Sequence, residues 1–275
     1  MRAPGQSERD SATPDGLRRR GAGGAPWLAG ATEQVLRALL TDPPAAPLRT
    51  LPGRTSFVWS GPEGARYVVK RLWARARRLP GPFGRVVVCQ VQREHAALAA
   101  LTALGAPVPR PVGWVAAELG RGLVAAVVME LVPHAESLRQ RLARVPADGV
   151  ALAPELAALV ARLHGAGWYH QDLYLEHVVI ERGSGRLVLL DLARARRQGW
   201  PVRHRWFQKD LGALASTAGV DEAARCLFFE RYAAALGLSP RQRALWARAA
   251  LARAARIQRH VPRFRDPSTR EGDVY

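Results

Sequence analysis

Tyr169-His170-Gln171-Asp172-Leu173-Tyr174-Leu175-Glu176-His177, followed by Leu189-Leu190-Asp191-Leu192-Ala193, is the stretch that decides how this chain reads. Between its two halves, Val178–Ile180 and Leu187–Leu190 have the apolar character of two short strands. They flank the turn Arg182-Gly183-Ser184-Gly185, so a small hairpin is expected. One carboxylate, Asp172, then lies in a loop before the hairpin, and a second, Asp191, just after it. Phosphoryl transfer asks for such a pair. It needs an acceptor hydroxyl aimed in line and metal ions that neutralise phosphate charge. Asp172 is the candidate for orienting the hydroxyl and taking its proton, and Asp191 for holding the metal. Either aspartate alone would read as a turn cap. Together, in this context, they read as catalytic.

Upstream, Tyr67-Val68-Val69-Lys70 closes a strand-like run and has the form of the kinase Val-Ala-Ile-Lys motif, whose lysine reaches the α- and β-phosphates. Composition sharpens this reading. Lys and Arg together number 41, yet lysine occurs only at Lys70 and Lys209. In a chain so biased toward arginine, a retained lysine is a candidate for work that a broad planar guanidinium cannot do. Glu94, early in the next helical segment, is the natural partner of Lys70; Glu63 lies in a turn and fits less well. Pro52-Gly53 followed by Arg54, Thr55 and Ser56 occupies the phosphate-loop position, where backbone N–H groups can cradle an anion. With one glycine, the signal there is weak.

The rest of the chain supplies a scaffold for these residues. Residues 1–26 lack periodicity and are expected to be a disordered tail. A short helix is expected after Thr32, ended by Asp42-Pro43-Pro44. Leu48–Leu51, Ser56–Ser60 and Arg66–Leu72 read as an antiparallel meander, and 71–85 as a mobile basic loop. A helix is expected over 90–104, then strands near 111–116 and 123–131. After Pro133 the pattern turns helical. Leu152, Leu156, Leu159, Val160 and Leu163 form one apolar stripe, and further helices are expected at 208–218, 221–236 and 240–260. Ser239-Pro240 marks the start of the last one, as N-cap and N1. The order predicts an α+β, two-lobed protein-kinase-like fold: a small antiparallel-sheet N-lobe with one main helix at 27–132, a mostly helical C-lobe at 133–262, and a tail at 263–275.

Composition excludes several classes. Of 275 residues, 48% are hydrophobic and 23% charged, which rules out wholesale disorder. No apolar run approaches the roughly 20 residues of a membrane span, and no apolar block follows Arg18–Arg20 as a secretory signal would require. Two cysteines, Cys89 and Cys226, are too few for a disulfide framework or a Cys-rich zinc site, which fits a reducing compartment such as cytoplasm. The net charge of +18 favours phosphate-bearing partners. Six arginines on the last helix, at 241, 243, 248, 253, 256 and 259, fit either a solvated face or attraction to anionic lipid. No nucleic-acid motif or aromatic-interleaved basic stripe is present, so a nucleic-acid module is disfavoured.

The motifs together resemble the lipopolysaccharide kinase family, which includes the Kdo and heptose kinases of the inner core and belongs to the protein-kinase-like superfamily. The resemblance runs from about residue 48 to 217. It is carried by Arg49-Thr50-Leu51, Tyr67 to Lys70, Glu94 through Pro111, His164 through His177, Leu190 through Ala195, and Arg205-Trp206-Phe207-Gln208-Lys209-Asp210-Leu211. The His-x-Asp-x-Tyr-x-x-His form and the Lys-Asp-Leu run are its family-specific parts. The resemblance implies ATP- and Mg²⁺-dependent phosphorylation of a core sugar hydroxyl, with a lipopolysaccharide core or lipid A-linked acceptor, at the cytoplasmic face of the inner membrane. It places Lys70, Glu94, Gly53, Arg54, Thr55, Ser56, Glu130 and Leu131 at ATP, and Asp191 with His177 at the metal. His170, Lys209 and Asp210 then support the catalytic loop, with Asp210 accepting N–H groups from it.

The chain also departs from the pattern. His177 stands where protein kinases have Asn; it either ligates the metal or hydrogen-bonds the Asp172 loop or a metal-bound water. Gln171 replaces the arginine of His-Arg-Asp, which argues against control by a phosphorylated activation loop. Leu192-Ala193 replaces Phe-Gly. Two other functions therefore stay open beside the core kinase: a phosphotransferase acting on a protein or another small molecule, and a non-catalytic pseudokinase.

Overall fold

The computed structural model describes residues 17–25, 28, 30–44, 46–61, 64–75, 83–119, 122–199, 204–217 and 221–260. It divides into two compact units. One holds the described residues up to His95 together with Pro111–Leu131; the other holds Ala96–Arg110 and Val132 through His260.

The first unit is built on a six-stranded antiparallel sheet. In chain order its strands are β1 (Leu17–Gly24), β2 (Pro47–Leu51), β3 (Arg54–Ser60), β4 (Arg66–Arg75), β5 (Pro111–Leu119) and β6 (Gly122–Glu130), arranged β1-β5-β6-β4-β3-β2. Helix α1 (Glu33–Leu40) starts at Thr32, whose hydroxyl accepts the Val35 N–H at 3.4 Å. Its Leu36, Leu39 and Leu40 pack with Phe57, Val69, Val115, Val124 and Val128 into one apolar cluster. Successive strand residues alternate between faces. Val69 belongs to this cluster, so its neighbour Lys70 lies on the opposite face of the sheet.

β1 corrects the expectation of a disordered tail over 1–26. Residues 17–24 pair antiparallel with β5, from Leu17↔Leu119 to Gly24↔Gly113. Gly24 has φ of +111°, and a Cβ on Gly113 would lie 2.3 Å from the Gly23 carbonyl oxygen. The two backbones approach where only glycine fits. Residues 1–16 and 26 lie outside the described set, as does the tail expected at 263–275.

The basic segment expected as a loop over 71–85 is strand at its start and helix at its end. β4 runs to Arg75 and α2 (Phe83–Ala103) already begins at Phe83; residues 76–82 lie outside the described set. The division falls at Leu131/Val132, beside the boundary expected at 132/133, but 96–110, expected in the first lobe, group with the second unit. Within that unit the Arg162 guanidinium donates to the Gly105 carbonyl at 2.6 Å, and the Leu189 N–H to the Pro107 carbonyl at 2.9 Å.

The second unit contains α3 (Leu138–Arg144), α4 (Asp148–Gly165), α5 (Arg205–Ala215), α6 (Glu222–Ala235) and α7 (Pro240–His260). Its strands are β7 (His134–Ser137), β9 (Val178–Glu181) and β10 (Leu187–Leu189) in the order β10-β9-β7, and the two-residue pair β8 (Trp168–Tyr169) and β11 (Arg196–Arg197). α4 packs on α6 and α5 on α7. On α4, Leu156, Leu159, Val160 and Leu163 are buried, each worth about 1.5–3 kcal/mol against exposure. Ser239 caps α7: its hydroxyl accepts the Gln242 N–H at 3.3 Å, and the Gln242 side chain accepts the Ser239 N–H at 2.8 Å.

Candidate active site

In the first unit, Lys70 on β4 and Glu94 on α2 form an ion pair, with Nζ 2.7 Å from Oε1 and both side chains under 5% exposed. Two charges removed from water this completely are stable only as a pair. Ser56, also buried, lies opposite Lys70 in the β3–β4 ladder. The turn before β3 is Pro52-Gly53, with Gly53 at φ +75° and its carbonyl accepting the Trp73 N–H at 2.9 Å. Pro then positive-φ Gly is the pattern of a tight type II turn. Arg54, Thr55 and Ser56 are ladder-paired with both β2 and β4. Their backbone N–H groups are therefore committed to the sheet, and the backbone cradle expected there is not available. Glu130 ends β6 opposite Tyr67, and the Leu131 N–H donates to the Arg66 carbonyl at 3.1 Å.

In the second unit, the segment between β8 and a short 3₁₀ turn (Leu175–His177) carries Asp172, and the residue after β10 and Leu190 is Asp191. Two imidazoles tie these loops together. His170 is fully buried. Its Nε2 lies 2.9 Å from the Leu190 carbonyl and its Nδ1 3.3 Å from the Asp172 amide nitrogen. A carbonyl only accepts and an amide N–H only donates, so the ring is neutral with its proton on Nε2. Burial, the largest influence, pushes its pKa down from the ordinary value, which agrees. His177 Nδ1 lies 2.7 Å from the Asp172 carbonyl and must donate to it. In the neutral ring the Nε2 lone pair then faces Asp191, with Oδ2 3.9 Å away.

Asp210, on α5, is fully buried and organises the loop from below. Oδ2 accepts the His170 N–H at 2.6 Å and Oδ1 the Gln171 N–H at 2.8 Å. His164 Nε2 lies 3.3 Å from Oδ2, and His164 Nδ1 lies 2.7 Å from the Tyr232 hydroxyl. The hydroxyl is held protonated: burial first, and the Asp210 charge second, raise the Tyr232 pKa far above its usual value. This clamp holds Gln171 at φ +75°, while Asp191 sits at φ +57°. Such left-handed conformations cost about 1–3 kcal/mol each unless their surroundings enforce them. Gln171 also donates from Nε2 to the Arg194 carbonyl at 2.7 Å.

Three of these partners had no role in the sequence reading. Arg194, in the 3₁₀ turn Leu192–Arg194, places one guanidinium nitrogen 2.8 and 3.0 Å from the two carboxylate oxygens of Asp172. Its signal was position: it lies three residues, one 3₁₀ turn, beyond Asp191. His164 and Tyr232 are 68 residues apart, and nothing local announces their contact. Lys209 precedes Asp210 but points elsewhere, with its ammonium 6.0 Å from the Trp206 ring centroid.

The donor set at Asp191 suits a divalent cation that keeps most of its own shell. Among the described residues, no cluster of three or more His, Cys, Asp or Glu side chains could cage a metal. The Asp191 carboxylate could hold a hard divalent cation, which takes one or two protein carboxylates and fills the rest with water and phosphate oxygens; the His177 lone pair beside it could accept from such a water.

Residues 57–232 match the family described as Lipopolysaccharide kinase (Kdo/WaaP) family. Among solved structures, "WaaP in complex with acyl carrier protein" is similar in fold. The TM-score is 0.61 at 22% identity, with 87% of this chain and 98% of that chain covered. No curated protein matches the sequence.

Proposed function

The chain belongs to the lipopolysaccharide kinase (Kdo/WaaP) family, whose members are kinases, and we propose that it transfers the γ-phosphoryl group of ATP to a sugar hydroxyl, of Kdo or heptose, in the lipopolysaccharide inner core. One observation carries this reading: His170 and His177 join the backbone of Asp172 to the strand end that bears Asp191. A base for the acceptor and a carboxylate for the metal are thus held in one rigid frame.

Asp172 orients the acceptor hydroxyl. As the hydroxyl oxygen bonds to the γ-phosphorus, the bond from phosphorus to the β-bridging oxygen breaks, ADP leaves, and the hydroxyl proton passes to Asp172. Arg194 keeps the Asp172 carboxylate in place. Lys70, fixed by Glu94, meets the α- and β-phosphates, with Gly53, the Arg54, Thr55 and Ser56 side chains, Glu130 and Leu131 completing the nucleotide site. Asp191 would hold Mg²⁺, with His177 accepting from one of its waters; a bound ion neutralises phosphate charge. His170 and Asp210 support the loop.

No described helix is long and apolar enough to cross a membrane. The net charge of +18 and the exposed Arg241, Arg243, Arg248, Arg256 and Arg259 on α7 support peripheral association with an anionic membrane, on its cytoplasmic face. The replacements at Gln171 and Ala193 favour keeping a second acceptor class in view, a protein or other small-molecule hydroxyl. Labelled ATP offered with a lipopolysaccharide core, a protein mixture and a panel of small alcohols separates the two. Label in the core supports the reading; label only in another acceptor refutes the substrate.

A further inference from the structure

Lys209 and Arg253 are not accounted for by the reaction. Arg253 was grouped by sequence with the outward arginines of α7, yet its side chain is half-buried and lies flat across α5. A Cβ on Gly212 would come within 2.9 Å of its Cβ, Cγ and Cδ. Gly212 is thus the notch that admits Arg253, one helical turn from Lys209 on the same side of α5. The register of α7 on α5 is held by Gln258, whose side chain donates to the Ser216 carbonyl at 3.0 Å. Inside the notch, the Arg253 Nε is buried with no hydrogen-bond partner among the described residues. A buried guanidinium N–H without an acceptor is costly.

Lys209 is also half-buried. The adjacent carboxylate, Asp210, is already taken by two amides and His164. The charges Lys209 feels are, in order, Arg194, Asp172, Arg253 and Asp210; burial and then Arg194 press its pKa down. Arg194 is itself bonded to the Asp172 carboxylate, which sets the group at the Asp172 end of the site. Arg194, Lys209 and Arg253 gather three cations, and the half-buried carboxylate among them, Asp172, is occupied by Arg194. The half-buried charges of Lys209 and Arg253 are left without a carboxylate of their own, an excess that an anion binding there resolves.

We propose that Lys209 and Arg253, with Arg194 beside them, form an anion subsite next to Asp172 that recognises an acidic group, carboxylate or phosphate, carried by the acceptor near the hydroxyl to be phosphorylated. This rests on the kinase reading and adds to it: the acceptor is selected by charge as well as by its hydroxyl. The alternative source of such an anion is the nucleotide itself.

The test uses the full chain, a detergent-solubilised core acceptor, and the same acceptor with carboxylates methyl-esterified and phosphates removed. Arg253→Gln removes the charge. Gly212→Ala keeps it but pushes the side chain out of its notch. Arg231→Gln, on an exposed position of α6, removes an unrelated charge. Both notch variants should raise KM for the acidic acceptor on the order of tenfold, change KM for ATP less than twofold, and cost nothing further on the neutralised acceptor. Arg231→Gln should match wild type. A rise in KM for ATP instead would assign the cations to nucleotide phosphate, and equal losses on both acceptors would make their role structural; either result overturns the proposal. If wild type phosphorylates no core acceptor, the core-acceptor reading fails by itself. The subsite is then judged by calorimetry with the free sugar acid. Binding lost in Arg253→Gln supports it, and absent or unchanged binding refutes it.

Discussion

His170 and His177 grip opposite ends of one residue: the first accepts the Asp172 N–H at 3.3 Å, and the second donates to the Asp172 carbonyl at 2.7 Å. Their rings lie 5.9 Å apart, and each reaches on to the Leu190–Asp191 strand end. The aspartate proposed as base is therefore positioned through its backbone, while Arg194 orients its side chain.

His177→Phe keeps a planar ring and removes both contacts. Turnover should fall about 10- to 100-fold, the usual scale for partners that orient a reacting or metal-binding group, with little change in ATP affinity. Steady-state kinetics check this; unchanged kcat would remove His177 from the frame.

Lys70→Ala leaves Glu94 charged, buried and alone, which costs about 3–5 kcal/mol. The double variant Lys70→Met with Glu94→Leu should recover most of that stability and none of the activity. Urea unfolding midpoints and turnover on the same preparations check both halves. Lys70→Arg should fail nearly as badly in turnover as Lys70→Ala, because the guanidinium does not fit a site built for an ammonium.

What the sequence revealed was what lies close along the chain. The hairpin at Val178–Leu189, the stripe on α4 and the Ser239-Pro240 start are periodicities and caps set by neighbours. β1 was hidden because Arg18–Gly24 has no strand pattern of its own; it pairs only because Gly113 on β5 lets the backbones meet. The first turns of α2 were masked by Pro80-Gly81-Pro82. Arg194 could not be told from the many other arginines until the fold set it on Asp172. Arg253 looked like its helix neighbours until the glycine beneath it, 41 residues earlier in sequence, was seen to receive it.

His170 is buried neutral, with a pKa below the ordinary 6.5. Below about pH 6.5 the unfolded chain binds a proton that the folded chain refuses, so stability is full above that pH and is lost as pH falls toward the folded value. Unfolding midpoints at pH 7.5 and 5.5 should show this drop in wild type and a smaller one in His170→Gln. His95, also lowered by burial, has the same sign and is common to both proteins. An equal drop in both would exclude His170 as a source.

Binding to anionic vesicles should be strong at low salt and released at high salt, since exposed charges are screened within about 10 Å at 0.1 M. Replacing Arg248, Arg256 and Arg259 with Gln should weaken vesicle binding several-fold and leave phosphorylation of a detergent-solubilised acceptor nearly unchanged. Sedimentation with neutral and anionic vesicles checks this. Binding indifferent to salt and lipid charge would refute an electrostatic attachment.

The most direct test of the central claim is mass spectrometry of a lipopolysaccharide core acceptor incubated with ATP, Mg²⁺ and either wild-type protein or Asp172→Asn. An aspartate that orients the hydroxyl contributes in the transition state and not to nucleotide affinity. Wild type should add one phosphate to the core. Asp172→Asn should add none while binding ATP and unfolding as wild type does. A core left unmodified by wild type, or phosphorylated at near-wild-type rate by Asp172→Asn, would contradict the account.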